Sequence, residues 1–97
     1  MNVTKGYNFE VIYDRVVDQI VAELDAFIES IDGESDGNLA LLQKIPVVVH
    51  KHIADLSVRD VKGITKLLKA NCDTCAITSL EDHTVKKVEL IMSTRYA

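Results

Sequence analysis

Apolar residues return at three- and four-residue steps through the first third of the chain. Phe9, Ile12, Val16, Ile20, Leu24, Phe27 and Ile31 fall on one side of a helix, and Tyr13, Val17, Val21 and Ile28 widen that stripe. Asp14, Asp18, Asp25 and Glu29 collect on the opposite side. Asn8 suits the N-cap, because its side-chain oxygen can accept an otherwise orphaned backbone N–H. The spacing predicts a helix over 8–31. Its apolar arc is broader than a surface helix needs, so it is expected either to sit at the centre of a bundle or to turn part of its face to a second copy.

Two glycines and the acidic residues of DGESDG (32–37) favour a turn after this helix. Beyond it Leu39, Leu42, Pro46, Val49, Ile53 and Leu56 follow a helical rhythm, predicting a helix over 38–55. Pro46 removes a backbone donor and crowds the preceding turn, so a break is expected there. The β-branched run PVVVHKHI (46–53) makes a strand the competing reading. Ser57-Val58-Arg59-Asp60 has the form of a capping box, with Asp in place of the usual Glu. Val58, Val61, Ile64, Leu67 and Leu68 then form one face of a helix over 58–70, in which Gly63 costs about 1 kcal/mol relative to Ala. Ser79-Leu80-Glu81-Asp82 opens a last helix over 80–93, carrying Val85, Val88, Ile91 and Met92. The expected fold is therefore all-α, with four helices, the first of them long and amphipathic. The alternative is α+β, with strands near 46–53, 74–80 and 85–93 and a C-terminal hairpin. EDHT, at its turn, lacks the Asn-Gly or Gly chemistry that tight hairpins prefer.

Ninety-seven residues, 47 % of them hydrophobic, make one domain over 1–97 with a single core. A chain this small buries a modest share of its surface, which makes oligomerisation a common supplement. Aromatic residues are only 5 %, with no Trp, which disfavours a base-stacking platform. The N-terminus has no basic segment followed by an apolar run, and no stretch approaches the roughly 18 apolar residues of a membrane span. The expected compartment is the cytoplasm, with Cys72 and Cys75 reduced.

The net charge of −4 conceals a pattern. Residues 1–43 carry two positive and nine negative side chains, a balance of −7. Residues 44–71 carry six positive and two negative, a balance of +4. Such asymmetry can steer association or pair subunits.

Four constellations could carry chemistry. Cys72 and Cys75, two residues apart, could share a zinc ion with His83 and with His50 or His52. No second C-x-x-C is present, and the pair follows a helix rather than opening one, where a thiol pKa would fall. Two small, partly buried thiols are the plainer reading. Asp32, Glu34, Asp36, Gly37 and Leu39 stand where the beginning of an EF-hand loop has its oxygen ligands, its turn glycine and its apolar residue, and the segment resembles that family over about a dozen residues. The resemblance implies calcium, but Gln43 replaces the bidentate Glu that closes the loop, and no second loop pairs with it. A solvated acidic connector is expected instead.

The third constellation is a basic face, Arg59, Lys62, Lys66 and Lys69, at steps of three, four and three on one side of the third helix. It could meet phosphates, and Ile53–Val58 is similar to the turn of a helix-turn-helix with 58–70 as recognition helix. The customary turn Gly is missing, and Arg59 alone on that helix is suited to base edges. Nucleic acid is a possible partner but not the favoured one. Last, the chain holds no Gly-rich phosphate loop, nucleophile elbow or H-E-x-x-H, so no enzyme and no cofactor is expected. The reading that remains is a small non-catalytic regulator, adaptor or inhibitor acting by protein–protein contact, as a homodimer. Its interface is expected on Phe9, Ile12, Val16, Ile20, Leu24 and Phe27. The alternatives are a nucleic-acid-binding regulator and a small zinc domain.

Overall fold

A computed structural model describes residues 8–31, 37–68 and 76–95. They form four helices and, among the described residues, no strand: α1 (Phe9–Ser30), α2 (Gly37–Ala54), α3 (Val58–Leu67) and α4 (Ala76–Arg95). The all-α expectation holds and the α+β alternative does not, since 46–53 and 76–95 are helical.

Local chemistry sets the two clearest starts. The Asn8 side chain accepts from the backbone N–H groups of Glu10 and Val11 at 3.1 and 3.3 Å, and Ser57 Oγ accepts from Asp60 N–H at 3.1 Å. Each bond satisfies a donor that the first turn leaves without a partner. Three boundaries differ from the expectation. α2 runs unbroken through Pro46. Pro46 has no N–H to offer the Leu42 carbonyl one turn back, and Leu42 is an exposed residue, where water can take that place. α4 begins at Ala76 rather than at Ser79, which lies inside the helix. The helix over 58–70 is observed to Leu67, with Leu68 as its cap, and residues 69–70 lie outside the described part.

α1 touches all three other helices, which explains its wide apolar arc: it is the centre of the bundle. α4 likewise packs on the other three, whereas α2 and α3 meet each other only marginally. Lys44 lies over the Phe27 ring, and one helical stretch later Lys51 reaches Glu23, so α2 runs antiparallel to α1. Tyr13 meets Thr84 and Asp25 meets Arg95, so α4 runs in the same sense as α1. The core joins Val16, Ile20 and Leu24 of α1 with Ile45, Val48, Val49 and Ile53 of α2, Ile64 of α3, and Leu80, Val88 and Met92 of α4. Each such large aliphatic side chain contributes about 1.5–3 kcal/mol on burial.

Gly63 has a structural reason to be glycine. The Phe9 ring rests against it, and a Cβ at this position would collide with three ring atoms. The residue that weakens α3 as a helix is the one that lets α1 and α3 close.

Candidate interaction surface

The expected interface stripe divides in two. Val16, Ile20 and Leu24 are buried within the chain's own core, so they cannot meet a partner without opening the bundle. Phe9, Ile12 and Phe27 are half-buried, the first two packed against the core and Phe27 beneath Lys44. The exposed side of α1 is instead acidic and small, with Asp14, Asp18, Ala22, Ala26 and Glu29.

The unexpected surface is on α2. Leu41, Ile45, Val48, Val49 and Ile53 face the core, and yet Leu39, Leu42 and Val47 are 55, 52 and 58 % exposed on other sides of the same helix. Its outward side is mixed, with Gln43, His50 and Lys51 standing among the exposed aliphatic residues. At 100° per residue Leu39, Gln43, Val47, His50 and Ala54 lie within a quarter-turn arc that points away from the bundle.

The basic residues of α2 do not share that arc freely. Lys51 Nζ donates to Glu23 Oε2 at 2.8 Å, and His52 Nε2 lies 2.9 Å from Glu23 Oε1. His50 Nδ1 lies 3.0 Å from Glu81 Oε2 on α4. Lys44 Nζ sits 5.4 Å from the Phe27 ring centroid, within cation–π range. The hydrogen bonds from Lys51 and then His52 hold the Glu23 carboxyl below its ordinary value, against the opposing effect of burial. His50 and His52, two residues apart and so on nearly opposite sides of a helix, thus tie α2 to α4 and to α1 respectively. α2 contains no acidic residue, and its basic side chains each contact another helix of the same chain, although those of His50 and Lys51 stay more than half exposed.

The other constellations are placed as follows. Arg59, Lys62 and Lys66 are exposed on the side of α3 opposite the buried Val61, Ile64 and Thr65, while Lys69 lies outside the described residues. α2 and α3 do not pack on one another as the two helices of a helix-turn-helix do. Cys72 and Cys75 lie outside the described residues. His83 is exposed, its ring 6.2 Å from that of Tyr13, and no group of three or more metal-ligating side chains occurs among the described residues. Of the EF-hand-like segment, 32–36 is likewise outside them, and Gln43 is exposed on α2. An open groove of about 320 Å³ between α1 and α4 is lined by Asp18, Val21, Ala22, Asp25, Ile91 and Arg95. Arg95 donates to Asp25 across it, a contact that fastens the two helices. No described helix is long and apolar enough to cross a membrane.

No protein-family model, curated protein or solved structure matches this chain.

Proposed function

We propose that the protein is a non-catalytic interaction module that acts through protein–protein contact and associates with itself. One observation carries this reading: three large aliphatic side chains of a single helix stand more than half exposed, while the remainder of that helix supplies the centre of the core. Leu39 and Val47 fall on its outward side, and aliphatic side chains left in solvent side by side would favour a contact surface. Burying it against another copy also supplements a core that 97 residues keep small.

Light scattering coupled to size exclusion tests the self-association. The 10.8 kDa chain is expected to rise in apparent mass toward twice that value as loading concentration increases. A constant 10.8 kDa up to millimolar concentration contradicts the reading.

A second reading rests on the exposed cations of α3. Arg59, Lys62 and Lys66 could neutralise phosphates without base readout. Binding to mixed-sequence duplex DNA at low salt, abolished in Lys62→Glu/Lys66→Glu, is its expected signature. Equal binding by that variant and the wild type removes it.

A further inference from the structure

We draw no further inference here: the strongest candidate, the surface patch of exposed cations Arg59, Lys62 and Lys66 on α3, belongs to the phosphate contact already described, and nothing in the structure shows what covers it.

Discussion

The phenol oxygen of Tyr13 on α1 lies 3.3 Å from the hydroxyl oxygen of Thr84 on α4, and both side chains are closed to solvent. They form a polar pair within an apolar interior. Replacing one partner leaves the other without a hydrogen bond, which costs about 1–3 kcal/mol, whereas replacing both removes the need for it. Thr84→Val is therefore expected to destabilise by that amount in urea denaturation. The double variant Tyr13→Phe/Thr84→Val should lie within about 1 kcal/mol of wild type. Strictly additive single effects would show that the pair is not coupled.

The same burial has a pH consequence. Desolvation raises the Tyr13 phenol above its ordinary value of 10.0, opposed by the bond to Thr84 and assisted by the nearby Asp14 carboxylate. Above pH 10 the unfolded chain ionises this group before the folded one does, so the unfolded state binds fewer protons and stability falls as pH rises. Tyr13→Phe is expected to flatten the stability profile above pH 10 relative to wild type. Parallel profiles for the two proteins contradict this.

Glu23 behaves in the opposite sense. Its folded carboxyl is held below the ordinary 4.5 by Lys51 and His52, so its contribution is complete above that value and is lost as pH falls through the folded pKa. Both partners are partly open to solvent, and the contribution at neutral pH is on the order of 0.5 kcal/mol. Glu23→Gln should lose about 0.5 kcal/mol at pH 7, and its difference from wild type should shrink as the pH falls below 4.5. A constant difference from wild type across the acid range argues against the pairing.

At Gly63 two effects of opposite sign compete. Alanine improves helix propensity by about 1 kcal/mol, but its Cβ displaces the Phe9 ring. Gly63→Ala is expected to be neutral or destabilising in the wild type and stabilising by about 0.5–1 kcal/mol in a Phe9→Ala background. The same effect in both backgrounds would show that the ring does not rest there.

Much of the fold is legible in the residue order, and the exceptions share a physical origin. α1 and the start of α3 carry clean amphipathic patterns and side-chain caps at Asn8 and Ser57, and there the expected and observed bounds agree within a residue. α2 mixes polar and apolar residues on its outward side and has no described cap. With apolar residues on all sides, Leu39 and Leu42 read as core positions and prove exposed, while Leu41, Ile45 and Val48 are buried. Its β-branched run is helical because Val48, Val49 and Ile53 share the face that α1 and α4 cover, and packing outweighs propensity. α4 starts early because a Ser-x-x-Asp sequence is no signal once the helix has already begun.

The proposed surface was hidden for a related reason. A broad apolar arc on α1 suggests an exposed stripe, but three neighbouring helices consume it, which only tertiary contact reveals. The pairing of His50, Lys51 and His52 is equally non-local, since Glu23 and Glu81 come from helices distant in sequence. A usable hint lay in α2 itself, a segment of 18 residues that is rich in aliphatic side chains and holds no acid.

Amide spectra of isotopically labelled protein, recorded by NMR over a wide range of protein concentration, test the central claim most directly. Concentration-dependent shifts are expected at Leu39, Gln43, Val47, His50 and Ala54, with the outer faces of α1 and α3 unchanged. Shifts centred on Asp14 and Asp18 or on Lys62 and Lys66, or spectra that do not change with concentration, contradict it.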